Sequence, residues 1–167
     1  MGILTDDMKR VIREQRLGFM ATVDVDGSPN LSPKGTTAVW DDDHLVFADL
    51  ASPGTIANIR RNPSIEICMV DIFMRKGYRF KGTASIVTEG PVFEGVLNTY
   101  KSDTTGVERL ADSISRVVLV KVERALPLVS PGYLPGITEE QMRTQWEGYW
   151  DSITEQYHAQ PARDPAR

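Results

Sequence analysis

Two short runs hold the residues whose types and spacing suggest chemistry. Ser32-Pro33-Lys34-Gly35 sets an ammonium between a proline and a glycine inside an otherwise strand-like stretch. Proline removes a ladder donor, so this strand must lie at a sheet edge or bulge there, leaving backbone amides beside a cation. Ser52-Pro53-Gly54-Thr55 is the second run. Serine at an N-cap followed by proline at N1 is a strong helix start, and the first-turn amides of a helix carry about half a unit of positive charge. Gly54 permits close approach of a phosphate there and Thr55 adds a hydroxyl. Together the runs offer what an anionic, planar, hydrogen-bonding ligand needs. An irregular strand entering a loop and an ordinary capped helix account for the same residues, and the local pattern alone favours those plainer readings.

The elements that must position these runs are mostly strands. Leu17 to Trp40 contains two arms rich in β-branched and aromatic residues around Asp26-Gly27, a hairpin signal. In the first arm Phe19, Ala21, Val23 and Val25 share one face and Met20, Thr22 and Asp24 the other. Further strands are expected over His44–Ala48, around Ile65–Val70, over Gly77–Thr88 and over Ser115–Leu126. Within Gly77–Thr88, Arg79 and Lys81 share a polar face that either approaches an anionic ligand or is exposed surface. Cys68 reads as an inert packed thiol, since no base or helix terminus is near it in sequence.

Helices are expected after the cap Thr5, from Pro53 to Arg61, after Gly90-Pro91, and from Thr138, which forms a capping-box pattern with Gln141. Met142, Trp146, Tyr149, Trp150, Ile153 and Tyr157 form an aromatic stripe down that last helix, suited to partial burial at a subunit interface. Lys101–Ser113 is polar, with a loop at Thr104-Thr105-Gly106. Six short strands without a repeating strand-helix-strand spacing favour a mainly β fold with peripheral helices, an antiparallel barrel. A single domain over 1–157 is expected, with the final helix at about 138–157 and a disordered tail at 158–167.

Composition excludes several classes. The net charge of -4 and the lack of a basic tract argue against nucleic-acid binding. No apolar run is long enough to span a bilayer and the amino end lacks the order of a secretory signal, so a soluble cytoplasmic protein is expected. Asp41-Asp42-Asp43 beside His44 lacks the alternating ligands and glycine of a calcium loop and reads as a turn. Two histidines and one cysteine make no zinc constellation, and no familiar catalytic motif assigns catalytic residues.

Three motifs in order, FMATVDVDGSPNLSPKG, LVFADLASPGTIANIRRNP and KGYRFKGTAS, resemble the pyridoxamine 5'-phosphate oxidase-like family of FMN-binding split β-barrels over about residues 15 to 125. The resemblance implies a six-stranded Greek-key split barrel and a homodimer with FMN across the subunit interface. It implies cofactor binding by Asn30, Ser32, Pro33, Lys34, Gly35, Thr36 and Thr37 along the ring and by Ser52, Gly54 and Thr55 at the phosphate, with Arg79 and Lys81 as further candidates. The sequence departs from the vitamin-forming oxidase itself. Ser-Pro-Gly-Thr stands where that enzyme has Ser-Arg-Lys, and its basic, arginine-centred carboxyl end is replaced by the helix from Thr138. The implied activity is therefore an FMN-dependent oxidoreduction of another small substrate. A flavin-binding or stress protein without turnover, and a deazaflavin- or haem-binding relative, are the alternatives.

Overall fold

A computed structural model describes residues 2–102 and 107–159 of the chain. Seven strands form one sheet in the order β2-β1-β5-β6-β7-β4-β3, where β1 is Gly18–Val23, β2 Pro29–Lys34, β3 Ala38–Val39, β4 His44–Ala48, β5 Ser64–Asp71, β6 Lys76–Val87 and β7 Val117–Val129. The pairs β1-β2, β1-β5, β3-β4 and β4-β7 are antiparallel. The strands at the two ends of this order, β2 and β3, are joined by residues 35–37 alone, so the sheet curls on itself as a split barrel does. The seventh strand beyond the expected six is β3, two residues long and too short to leave a periodic signal.

Two elements of the hairpin differ from expectation. β1 ends at Val23, and the turn is Asp24-Val25-Asp26-Gly27, closed by a Gly27 N–H···O bond to Asp24 of 3.0 Å, with Gly27 at φ +86°. The turn is therefore longer than a two-residue Asp-Gly loop, and only the glycine occupies the left-handed region. β2 pairs with β1 in unbroken register from Gly18↔Lys34 to Val23↔Pro29, so Pro33 sits on an edge strand and not in a bulge.

The helices follow their caps. α1 is Asp6–Gln15, with the Thr5 hydroxyl accepting from Met8 N–H, α2 is Pro53–Arg61, and α3 is Pro91–Lys101. Ile12 of α1 and Ile56 and Ile59 of α2 pack with Met20, Leu45, Phe47, Ile67, Met69, Phe80 and Val120 in the main core. A second cluster, with Val96 and Tyr100 of α3, covers Val46, Ala48 and Val117, so β4 is buried on both faces. At Gly82 a Cβ would lie 1.9 Å from the Lys121 carbonyl oxygen, so only glycine fits where β6 meets β7. Residues 107–113, within the polar segment Lys101–Ser113, form a 3-10 helix, and the loop expected at Thr104-Thr105-Gly106 lies outside the described residues.

The chain divides into two compact units: the chain up to Val70 with Gly77–Leu128, and Asp71–Lys76 with the chain from Val129 onward. In the second, the helix α4, Glu139–Ala159, opens on the expected capping box, with Gln141 N–H donating to the Thr138 hydroxyl and Thr138 N–H to the Gln141 side chain at 3.2 and 2.9 Å. Arg75 lies 4.2 Å over the Trp146 ring, Lys76 pairs with Glu139 at 2.5 Å, and the Tyr133 hydroxyl donates to the Met74 carbonyl at 2.6 Å. The stripe is thus partly used within this unit: Met142 is buried, whereas Tyr149, Trp150 and Tyr157 are exposed. His158 and Ala159 continue the helix, and the rest of the expected tail lies outside the described residues. Among the described residues no helix is long and apolar enough to cross a membrane, and no group of three His, Cys, Asp or Glu is placed to hold a metal ion.

Candidate functional site

Lys34 ends β2, and its side chain shares the inward face of that strand with Ser32 and Asn30 because alternate residues point the same way. It is 7% exposed, which is unusual for lysine. Its ammonium donates to the Ser32 hydroxyl and, at 3.3 Å, to the Pro33 carbonyl, and no carboxylate among the described residues lies within ion-pair distance of it. Burial pushes its pKa below the ordinary 10.5, with Asp49 pulling against that shift. Asp49, itself buried, is held by Arg116 at 2.8 Å and accepts the Ser52 N–H at 3.0 Å. The charge that would otherwise quench Lys34 is therefore engaged elsewhere.

A pocket of about 290 Å³ joins the two sequence runs, lined by Ser32, Pro33, Lys34, Gly35 and Thr36 on one side and by Ala48, Leu50, Ala51 and Ser52 on the other. β4 and the turn after it carry the second run to the end of β2, a juxtaposition the spacing of 18 residues in sequence does not reveal. Ser52 is the N-cap of α2 and Pro53 its first residue, as expected, yet the Ser52 hydroxyl makes no capping bond. Thr55, 2% exposed, likewise makes no side-chain hydrogen bond among the described residues. A Cβ on Gly35 or Gly54 would meet open space. The donors beside the pocket are thus a buried ammonium and two hydroxyls with spare capacity, next to a helix N-terminus.

Thr36 and Thr37 serve differently. Thr36 Oγ1 accepts from Ala48 N–H at 3.0 Å, the Thr37 hydroxyl donates to the Lys34 carbonyl at 2.8 Å, and the Tyr100 hydroxyl donates to the Thr36 carbonyl at 2.6 Å. These bonds fix the turn in which Lys34 and Gly35 sit, so the two threonine hydroxyls act on the loop itself. Tyr100 lies 64 residues away on α3. Nothing in its sequence surroundings marks the role.

Arg79 and Lys81 are not brought to this pocket. They project from the opposite face of the sheet, where both pair with Glu66 of β5, at 3.4 and 3.2 Å. Lys81 and Glu66 line a separate, wider cavity of about 450 Å³ with Ala21, Pro29, Glu123 and Arg124. Cys68, half-buried beside them, has its thiol pushed up chiefly by burial, with Arg79 opposing, so it is a poor nucleophile. His44 opens β4, and its Nδ1 is 2.8 Å from Asp41, away from both cavities.

A curled antiparallel sheet whose end strands are joined by three residues defines a split barrel, here with a cationic, hydroxyl-bearing pocket beside β2. The family model described as pyridoxamine 5'-phosphate oxidase matches residues 4–126, and the chain belongs to that family. It is similar to the solved structure of Group A Streptococcus HupZ, at 37% identity and a TM-score of 0.65, over 75% of this chain and 94% of that one. An FMN-binding protein of Syntrophomonas wolfei (16% identity, TM-score 0.63, 76% and 87% covered) shares the fold. So does HutZ, the haem storage protein of Vibrio cholerae, with 21% identity, a TM-score of 0.60 and coverage of 77% and 95%. Among curated proteins, none matches the chain.

Proposed function

We propose that this protein binds FMN and uses it as an oxidoreductase of a small substrate. The observation that carries the reading is the buried Lys34 ammonium, without a carboxylate partner among the described residues, in a pocket that reaches the start of α2. The residues fit the cofactor. Lys34 and the Ser52 and Thr55 hydroxyls with the first amides of α2 would hold the phosphate, and the edge of β2 from Asn30 to Gly35 would lie along the ring. Bound FMN would supply the redox chemistry, so a paucity of catalytic side chains is no obstacle. Lys34 and the fixed amides of its turn would keep water from the phosphate end and favour a negatively charged ligand.

The same reading takes the protein as a homodimer with the cofactor at the subunit interface. What supports it is the outward face of the first strands, where exposed Phe19 lies opposite Pro33, and Ala21 opposite exposed Leu31, an apolar strip at the sheet edge. Light scattering should give twice the chain mass, and a monomer that binds FMN tightly would refute the shared site.

The direct test is titration of the purified full chain with FMN and riboflavin, followed by absorption spectroscopy. FMN should bind about ten- to a hundredfold more tightly, the worth of a charge-assisted phosphate contact. Equal binding of the two would remove the phosphate site. A Soret band with no flavin affinity would replace FMN by haem, for which neither cavity offers a histidine among its lining residues.

A further inference from the structure

Behind β2 a line of polar side chains runs from exposed Arg61 through buried Asn58 and Thr22 to half-buried Asn30. The Arg61 guanidinium donates to Asn58 Oδ1 at 2.6 Å, Asn58 Nδ2 donates to Thr22 Oγ1 at 3.2 Å, and Thr22 Oγ1 lies 3.4 Å from Asn30 Oδ1. Asn58 and Thr22 are 1% and 3% exposed, so neither can exchange these partners for water. Arginine has no acceptor, so the atom of Asn58 facing it must be the amide oxygen. The Asn58 NH2 group then faces Thr22 and donates to one of the two lone pairs of its hydroxyl. The buried Thr22 proton goes to Asn30 Oδ1, its one hydrogen-bond acceptor among the described residues, so the Asn30 oxygen faces inward. The obligate donor at its head fixes the Asn58 amide, and the acceptor needed by the buried Thr22 proton fixes that of Asn30.

The consequence falls on Asn30. With its oxygen held inward, its NH2 group points away from Thr22, and among the described residues it has no acceptor. Asn30 is half-buried and lies on the same face of β2 as Ser32 and Lys34, which line the pocket. We propose that Arg61, Asn58 and Thr22 are positioning residues that lock Asn30 as a hydrogen-bond donor toward a carbonyl-type acceptor on the ligand held along β2. Resting on the FMN reading, that acceptor is a ring carbonyl of the flavin. The device makes this stretch of the site selective for an acceptor edge and unfavourable to a ligand that presents a donor there, because an unmatched polar pair in a shielded site is costly.

Thr22 provides a test that separates the relay from simple packing. Valine keeps threonine's shape and loses the hydroxyl, whereas serine keeps the hydroxyl and loses the methyl. The relay predicts that Thr22→Ser binds FMN like the parent and that Thr22→Val binds several-fold more weakly. A packing role predicts the reverse order, and that order, or equal affinity of all three proteins, would overturn the proposal. Asn30→Asp, which replaces the donor with an acceptor of the same shape, should lose about tenfold or more in FMN affinity, the scale of a hydrogen bond to a shielded partner. The side-chain amide signals of Asn30 in nitrogen-15 spectra of the full chain give a readout that needs no ligand. They should move in Thr22→Val and stay in Thr22→Ser. If the parent fails to bind FMN while this spectral pattern holds, the relay stands and the flavin reading falls. If FMN binds but the Asn30 signals ignore Thr22→Val, the relay falls alone.

Discussion

The inward pocket at Lys34 and the outward cluster at Arg79 and Lys81 contain the same kind of charge in opposite circumstances. Lys34 is buried with only a hydroxyl and a carbonyl for company, and the carboxylate nearest in effect, Asp49, is tied to Arg116. Arg79 and Lys81 are about half exposed and share Glu66, so their charge is answered within the chain. A cation marks an anion site when its burial and its missing partner both need explaining. Exposed and paired, it is worth little to a ligand or to the fold.

The comparison would be broken first by exchanging the two regions' roles in binding. Lys34→Ala should weaken FMN by about ten- to a hundredfold with an unchanged far-ultraviolet circular dichroism spectrum, while Lys81→Ala should change affinity by less than about threefold. The opposite ranking in a fluorescence titration would move the site to the outer cavity. Thr55→Val comes next. Its hydroxyl makes no hydrogen bond among the described residues, so its removal should leave the melting temperature within a degree or two and weaken FMN by about five- to tenfold.

Tyr100→Phe probes the support of the inner pocket without touching it. Loss of the 2.6 Å bond to the Thr36 carbonyl leaves a buried acceptor unpaired, so denaturant unfolding should show a loss of about 1 to 3 kcal/mol. FMN affinity should fall by a smaller factor than in Lys34→Ala. A larger fall would make the turn, and not the ammonium, the main determinant.

Two pH responses give the finest discrimination. Because burial lowers the native pKa of Lys34, the unfolded chain holds a proton that the native one has released between that lowered value and 10.5, so this group makes the unliganded protein more stable as pH rises through the window. FMN affinity should fall over the same range as the charge is lost, with riboflavin affinity as the control for ring effects. Tyr78 behaves in the opposite sense. Its hydroxyl donates to Asp7 at 2.5 Å, and that bond, with burial behind it, pushes its pKa from 10.0 up to about 12. Its stabilising contribution is complete below 10 and is lost as pH rises toward 12, so the melting temperature of Tyr78→Phe should converge on the parent's over that range. A parallel offset at all pH values would mean the Asp7 bond does not hold the phenol neutral.

The sequence by itself determined the helix starts at Thr5, Pro53, Pro91 and Thr138 and the hairpin at Asp26-Gly27, and it narrowed Pro33 to an edge strand or a bulge. Each rests on residues within about four positions of one another, where caps, fixed proline φ and strand alternation act. It also located both halves of the candidate site, since a lysine in a proline-glycine run and a serine-proline helix start are local features. Only the tertiary structure decided that β2 keeps register through Pro33, that Glu66 neutralises Arg79 and Lys81, and that Asp49 is engaged by Arg116. It alone placed Tyr100 on the Thr36 carbonyl and Asn58 on Thr22. The physical reason is that desolvation and partner choice depend on which strands and helices become neighbours. A side chain's charge is written in its residue type, but whether that charge is spent or available depends on contacts distant in sequence, 67 residues apart for Asp49 and Arg116.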